Sequence, residues 1–394
     1  MTGFAKVSDP HRPLRIVQIG AGGMGRAWLR VLADSTDVEL VGIVDLDEEA
    51  AKRGALEYGD SALPVARHLG EVLDRISERG GPDADEASQV DAVLNVTIPI
   101  AHHAVSSDAL NRGLPVLSEK PAAPTVAEAL SLGAVSSETG RLLMISQSRR
   151  YYRNLDVFKT ELGRLGPVGI LTNDFFKAPH FGGFRETMPF PLLVDMAIHP
   201  FDVARFLLDS DPVSVYAQSF NPGWSWFAGD AAAAATFEFA DGIRFVYTGS
   251  WVSPGFETAW NGSWRASARD GTILWNGEDA PTVMGEDPSR SPVEPAHTRD
   301  REEIAGSLAE FVEALRTGVV PSGEIHRNVM SLVMVEAAVL SATRGERVLM
   351  ADLIDDAFAQ AISDEVDDRV RRRLEEERVD RRVSFSGWKR PADE

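Results

Sequence analysis

Residues Arg15 to Gly25 run from an apolar strand straight into G-x-G-x-x-G, as Ile16-Val17-Gln18-Ile19-Gly20-Ala21-Gly22-Gly23-Met24-Gly25. A strand that ends in spaced glycines and passes at once into a helix is the opening of a parallel βαβ unit. Gly20 allows the tight turn, Gly22 lets backbone approach a pyrophosphate, and Gly25 lets the helix pack on the strand. Phosphates would sit on the helix N-terminus, where free N–H groups and the dipole favour an anion. The pattern predicts a helix over Arg26 to Ala33 and a second strand over Val38 to Val44, ending at Asp45. An acidic residue about 20 positions past the glycines is where such a unit accepts a ribose hydroxyl. Its charge repels a 2′-phosphate, so the expected cofactor is NAD, with NADP left open by the neighbouring Lys52 and Arg53. The plainer reading has Asp45 only capping the next helix, whose first turn holds Asp47, Glu48 and Glu49. The unbroken order of strand, glycines, helix, strand and aspartate favours nucleotide binding.

At 394 residues the chain exceeds the usual single-domain size, so two domains are expected. Sixty acidic against 40 basic side chains give a net charge of -20. That argues against nucleic acid or an anionic membrane as partner, because both select clustered Lys and Arg. Cysteine is absent, which removes disulfides, thiolate nucleophiles and cysteine-ligated zinc or iron–sulfur sites. Met1 to Pro13 has no apolar core followed by small residues, and no apolar run approaches the ~20 residues of a membrane span. The expectation is a soluble cytoplasmic protein.

The first part alternates strands and helices, as a parallel sheet requires. Strands are predicted at Val90 to Val96, Pro115 to Leu117 and Leu142 to Ile145, and helices at Ala101 to Arg112 and Thr125 to Thr139. Gly80 to Ser88 reads as a surface insertion. From Gly166 the rhythm changes to strand-like runs at Val168 to Phe175, Val213 to Phe220, Ala231 to Phe239, Ile243 to Ser250, Trp264 to Ala268 and Thr272 to Trp275. Turn signals such as Asp241-Gly242 and Asp270-Gly271 separate them, predicting a largely antiparallel sheet. Asp279 to Arg299 reads as a loop, followed by helices at Glu302 to Arg316 and Ile325 to Thr343. In the tail, Ile354, Phe358, Ile362, Val366, Val370 and Leu374 recur at i, i+4 spacing and give one apolar stripe on a charged helix. Either the chain itself or a partner subunit must cover it.

Three further places bear on chemistry. Ser118-Glu119-Lys120-Pro121 ends a parallel strand, where ligands of open α/β sheets collect, and a lysine there can stabilise an oxyanion. Asp195, His199 and Asp202 would share one face of a helix, and a carboxylate beside an imidazole favours its protonated form and fixes its orientation. Pro200 complicates that helix, since proline suits only a first turn or a kink. Asp195, His199 and Asp202 lack a clear further ligand, so no metal is expected. Thr97 to His103 forms another carboxyl-edge loop, in which either histidine can instead cap or pack the helix.

In order and spacing these pieces resemble the Gfo/Idh/MocA oxidoreductase family, named for glucose–fructose oxidoreductase and inositol dehydrogenase. Ile19 to Gly25 is similar to its fingerprint, with Gly20, Gly22, Met24 and Gly25 as cofactor contacts beside Asp45. Thr97, Pro99 and His103 resemble its T-P-x-x-x-H loop, Glu119-Lys120-Pro121 its E-K-P signature, and Asp195 with His199 its D-x-x-x-H. Asp241-Gly242 and the helix Ile325 to Thr343, followed by Gly345 to Val348, also look like family elements, so the resemblance spans about Leu14 to Leu349. It implies an α/β protein: an N-terminal Rossmann domain with a doubly wound parallel sheet over 14–146, then a C-terminal α+β domain over 147–349. The second domain would carry a large, mostly antiparallel open sheet, bind substrate and support a homo-oligomer, a dimer or tetramer. Residues 350–394 form a charged helical extension without a family counterpart.

The implied reaction is hydride transfer between a nicotinamide cofactor and the secondary hydroxyl or ketone of a sugar, cyclitol or related polyol. His199 would take the hydroxyl proton, Asp195 support the imidazolium, and Lys120 stabilise the alkoxide. Arg150 and Tyr151 resemble the family's R-[FY] pair at the edge of the site, and Arg185 lies in the loop before Asp195. Both arginines can serve instead as structural ion pairs. NAD-dependent glycoside hydrolysis through transient sugar oxidation would use the same front half, and a non-catalytic NAD-binding sensor would share the fold. The run Met188 to Leu193 replaces the glycines common before D-x-x-x-H, and Ile100 replaces the usual Asn, which leaves the substrate class open.

Overall fold

The computed structural model describes residues 4–80, 90–285 and 301–385. The chain divides into one unit of Met1–Gln147, Ile304–Val329 and Ala357–Glu394 and a second of Ser148–Glu303 and Met330–Asp356. In the first, strands and helices alternate as β1 (Leu14–Ile19), α1 (Gly23–Asp34), β2 (Val38–Val44), α2 (Glu48–Tyr58), β3 (Val65–Ala66), α3 (Leu69–Gly80), β4 (Ala92–Asn95), α4 (Pro99–Asn111), β5 (Val116–Glu119), α5 (Val126–Thr139) and β6 (Leu143–Ser146). All strand pairs are parallel, in the order β3-β2-β1-β4-β5-β6. This is the doubly wound order whose switch point lies between β1 and β4. The strands are apolar runs because helices cover both faces: Leu14, Ile16, Val17, Ala92, Val93 and Leu94 are at most 1% exposed. α4 starts two residues earlier than the sequence pattern suggests, with Pro99 in its first turn where a missing N–H costs nothing. Most of the Gly80 to Ser88 insertion lies outside the described residues.

The second unit holds α6 (Arg153–Arg164), β7 (Val168–Phe176), a π turn at Leu192–Met196, α7 (Ile198–Leu208), β8 (Pro212–Phe220), β9 (Ala232–Phe239), β10 (Arg244–Ser250), β11 (Ser263–Ala268), β12 (Gly271–Trp275) and β13 (Thr282–Gly285). With β14 (Val348–Leu349) these strands build an eight-stranded sheet in the order β13-β12-β11-β7-β10-β9-β8-β14, antiparallel except between β7 and β10. β13 lies inside the segment expected to be a loop, where Thr282 to Gly285 add an edge to β12; the rest of that segment, from 286, is outside the described residues. From Ile170 onward burial alternates along β7, with Leu171, Asn173 and Phe175 buried and Ile170, Thr172 and Asp174 on the other face. That second face stays open across the sheet and carries Ile170, Tyr216, Phe220 and Leu274, all exposed.

The chain continues through α8 (Glu303–Thr317), α9 (Ile325–Arg344), α10 (Met350–Asp364) and α11 (Asp368–Phe385). α9 is, contrary to expectation, long and apolar enough to cross a membrane by length and composition, but 67% of its apolar window is buried within the fold. The tail is two helices rather than one. Asp367 breaks the path, its side chain accepting from the Arg369 N–H to start α11, and Val366 at the break is 89% exposed. On either side the stripe is covered by the chain itself: Ile354, Phe358, Val370 and Leu374 are at most 4% exposed, and α11 packs on α5.

Polar side chains fasten that packing. Ser137 Oγ donates to Glu377 Oε1 (2.9 Å), Arg373 Nε donates to Glu138 Oε1 (2.9 Å), and His326 stands between Glu324 (Nδ1 to Oε1, 2.5 Å) and Glu377 (Nε2 to Oε1, 3.3 Å). Burial lowers the His326 pKa, but hydrogen bonds and charge from the two glutamates outweigh it and raise the value to about 9. Because this exceeds the ~6.5 of an unfolded histidine, the stabilisation is complete below about pH 6.5 and is lost as pH rises through about 9. Thermal melting followed across that window should show a fall in stability for the natural protein and a smaller fall for His326→Gln.

Candidate functional site

In the glycine turn two positions are sterically closed to any other residue. A Cβ on Gly20, which has φ +104°, would stand 2.5 Å from Val96 O, and one on Gly25 would stand 2.4 Å from Gly20 O. Gly22 is different. A Cβ there meets nothing within 4 Å, so its smoothness faces open space. Gly22 is also the N-cap of α1, with no side-chain cap and no acidic residue in the first turn. The N–H groups of that turn therefore remain available to an anion, and Met24 beside them is 47% exposed.

Asp45 binds back to this turn. Its Oδ2 accepts from the Ala21 N–H (2.7 Å) and its Oδ1 from the Asp47 N–H (2.9 Å). The N-cap of α2 is Asp47, which accepts from the Glu49 N–H. The carboxylate of Asp45 is thus fixed at the end of β2, half-buried, with lone pairs left for a ribose diol. These residues fit a dinucleotide.

At the ends of β4 and β5 the side chains mostly turn inward. Thr97 donates its hydroxyl to Asn95 Oδ1 (2.7 Å), just ahead of Pro99. Glu119 is buried, accepts from Trp28 Nε1 (2.8 Å), and has its pKa raised by burial against the opposing effects of Trp28 and Lys120. It ties β5 to α1, while the adjacent Lys120 is half-buried. Of the two neighbouring histidines, His103 points to α5, its Nε2 3.1 Å from Ser131 Oγ, which donates to Glu365. His102 joins the two loops instead: Nδ1 is 2.6 Å from Pro121 O and Nε2 is 3.0 Å from Thr97 O. Both partners only accept, so a neutral ring, with one N–H, satisfies one of them. The family resemblance singles out His103 as a cofactor contact, while the residues alone leave either histidine to cap or pack the helix. One helical step of about 100° separates their directions, and only the packed neighbours decide which faces the loops.

In the second unit Asp195 lies in the π turn Leu192–Met196 and His199 in the first turn of α7, Ile198–Leu208, so the two stand on consecutive helical segments. Pro200 is accommodated because it lies in the first turn of α7, directly after the wider π turn, where no α-helical partner is lost. Asp195 accepts from Arg185 Nε (2.6 Å), and the Arg185 guanidinium also lies 5.0 Å from the Phe184 ring. Asp202 turns away from this pair. It is 1% exposed and receives Arg150 through two 2.6 Å hydrogen bonds and Ser331 Oγ through a third. The Arg150 charge is thereby committed to Asp202, and Tyr151 is buried beside it, 1% exposed. Neither matches the edge position expected for a substrate contact. Among the described residues no group of three or more His, Cys, Asp or Glu is arranged to hold a metal.

A doubly wound parallel sheet with this glycine turn and acidic strand end defines a dinucleotide-binding Rossmann protein. Residues 14–147 match the model of the oxidoreductase family with an NAD-binding Rossmann fold, and residues 163–274 match the GFO/IDH/MocA C-terminal domain. The chain belongs to the Gfo/Idh/MocA family, and its first domain is that family's NAD-binding domain. It is 30% identical over 211 residues to inositol 2-dehydrogenase 1 of Saccharopolyspora erythraea, covering 51% of this chain and 56% of that one. It is 29% identical over 203 residues to the rhizopine catabolism protein MocA of Rhizobium meliloti, covering 51% and 59%. The matches to these relatives span less than two thirds of their length. A longer match, 24% identical over 339 residues, covers 83% of this chain and 96% of 1,5-anhydro-D-fructose reductase from Ensifer adhaerens. Two solved structures share the fold: an Agrobacterium radiobacter oxidoreductase in complex with NAD+, L-tartaric acid and magnesium (TM-score 0.69, 19% identity, 86% and 99% coverage), and the WlbA dehydrogenase of Bordetella pertussis in complex with NADH and UDP-GlcNAcA (0.70, 19%, 86% and 99%).

Proposed function

We propose that this chain is an NAD-dependent dehydrogenase acting on a secondary hydroxyl of a sugar, cyclitol or related polyol. The observation that carries the reading is the Asp195–His199 spacing on consecutive helical segments, in a chain whose first domain is an NAD-binding fold of an oxidoreductase family. Relatives named for inositol and anhydrofructose support the substrate class. The turn at Gly20, Gly22 and Gly25 holds the pyrophosphate and Asp45 the ribose, with Met24, Thr97 and Pro99 as neighbouring contacts. Bound NAD supplies the hydride acceptor. His199 accepts the hydroxyl proton, Asp195 favours the protonated imidazole, and Lys120 offers positive charge to the developing alkoxide. Arg185 orients the Asp195 carboxylate.

The test is net NADH formation by the purified protein with NAD across a panel of inositols, aldoses and their glycosides. NADH accumulating with a free polyol supports the reading. Aglycone release from glycosides without net NADH would replace it with redox-assisted hydrolysis, and tight NAD binding with no turnover on any member would leave a sensor. We further propose a homo-oligomer formed through the open sheet face, on which Tyr216 and Phe220 are 45% and 53% exposed.

A further inference from the structure

β7 places one polar side chain on the buried side of its sheet, between Leu171 and Phe175. Asn173 is 1% exposed, and neither its Oδ1 nor its Nδ2 has a hydrogen-bond partner within the protein. The Trp275 indole N–H, 3% exposed on β12, is in the same condition. Buried amides and indoles are rarely left so, because a lost hydrogen bond is not repaid by water. Both residues line one small cavity, together with Arg149, His199, Trp260 and Trp264, all of the second unit. Two of these neighbours are committed elsewhere: Arg149 donates to Asn261 Oδ1, and Trp264 Nε1 donates to Asn261 O. Gly262, at φ +74°, preserves the space, since a Cβ there would stand 2.5 Å from Asn173 Nδ2.

The cavity volume is about 10 Å³, at the lower limit for one water-sized group. A sugar ring is excluded by size; a single hydroxyl oxygen is not. Such an oxygen matches the chemistry of the lining, because it can accept from Asn173 Nδ2 and Trp275 Nε1 and donate to Asn173 Oδ1. An ammonium or carboxylate would be poorly served by one neutral amide and one indole. Trp260, which also lines the cavity, is 43% exposed.

We infer that Asn173 and Trp275 form a subsite for one hydroxyl oxygen beside His199. The oxygen is either a hydroxyl of the substrate or a water hydrogen-bonded with it. Its use in turnover rests on the dehydrogenase reading above; its occupancy does not.

Two measurements decide it. Crystal structures of the full chain with NAD, without and with myo-inositol soaked in, should show an oxygen within about 3.2 Å of Asn173 and of Trp275 Nε1. Density in both crystals assigns a water, density only after soaking assigns a substrate hydroxyl, and density in neither overturns the inference. Asn173→Leu is then compared with the natural protein on the polyol it oxidises fastest. The kcat/KM should fall about 10-fold from the lost hydrogen bonds, and unchanged kcat/KM would overturn the inference by showing the subsite unused. Where density appears only after soaking, removing the amide should also leave the melting temperature equal or higher, and a lower one would overturn the inference by marking the amide as structural. If the natural protein oxidises no polyol, the functional reading fails while the density still decides whether the oxygen site exists.

Discussion

His199→Ala is expected to lower kcat about 10²–10⁴-fold, the usual worth of a general base, while NAD affinity changes little. The split is what distinguishes proton transfer from a packing role, since the glycine turn and Asp45 belong to the first unit and His199 to the second. Titration of NAD binding alongside steady-state kinetics measures both. Asp195→Asn should follow in the same direction with a smaller loss. It removes the carboxylate charge to which the proposed mechanism gives this role but keeps a hydrogen-bonding group for Arg185, which donates to Asp195 at 2.6 Å. Full turnover in His199→Ala would remove His199 from the mechanism.

The largest effect on stability is expected at the Arg150–Asp202 pair. Both side chains are nearly excluded from solvent, with 8% and 1% side-chain exposure, and the pair is bidentate at 2.6 Å. Breaking a buried pair by removing one partner leaves the other charge without compensation and costs about 3–5 kcal/mol. Asp202→Ala should therefore lose stability on that scale, against a total of about 5–15 kcal/mol for a typical domain. It also frees Ser331 Oγ, which donates to Asp202 and accepts from Arg205. Replacing both members together, as Arg150→Met with Asp202→Leu, should recover most of the loss, because no isolated charge remains. Urea unfolding of the three proteins tests this, and equal midpoints for Asp202→Ala and the natural protein would show that the pair contributes nothing.

Much of the first unit was legible in the sequence because its signals are local. A parallel strand covered on both faces is an apolar run, and the turn after β1 admits only glycine at two points, where a Cβ would strike backbone at 2.5 and 2.4 Å. Thr282 to Gly285 was not legible, since an edge strand beside Pro- and Asp-rich sequence has little pattern of its own and exists because β12 offers it an edge. The break at Val366 was hidden by a stripe whose spacing continues through it, and was set by Asp367 capping the following helix.

By itself the sequence determined the family, the cofactor fold and the position of the acidic residue that faces the glycine turn, because each depends on neighbours within a few residues or one βαβ unit. Only the tertiary structure decided which histidine braces the loops, where Arg150 and Arg185 send their charges, what covers the C-terminal stripe, and that Asn173 is buried beside His199 without a partner. Those depend on residues tens to hundreds of positions apart, such as Asp202 for Arg150 and α5 for α11. A hydrogen bond at 2.6 Å or a cavity the size of one oxygen exists only once packing has brought those residues together.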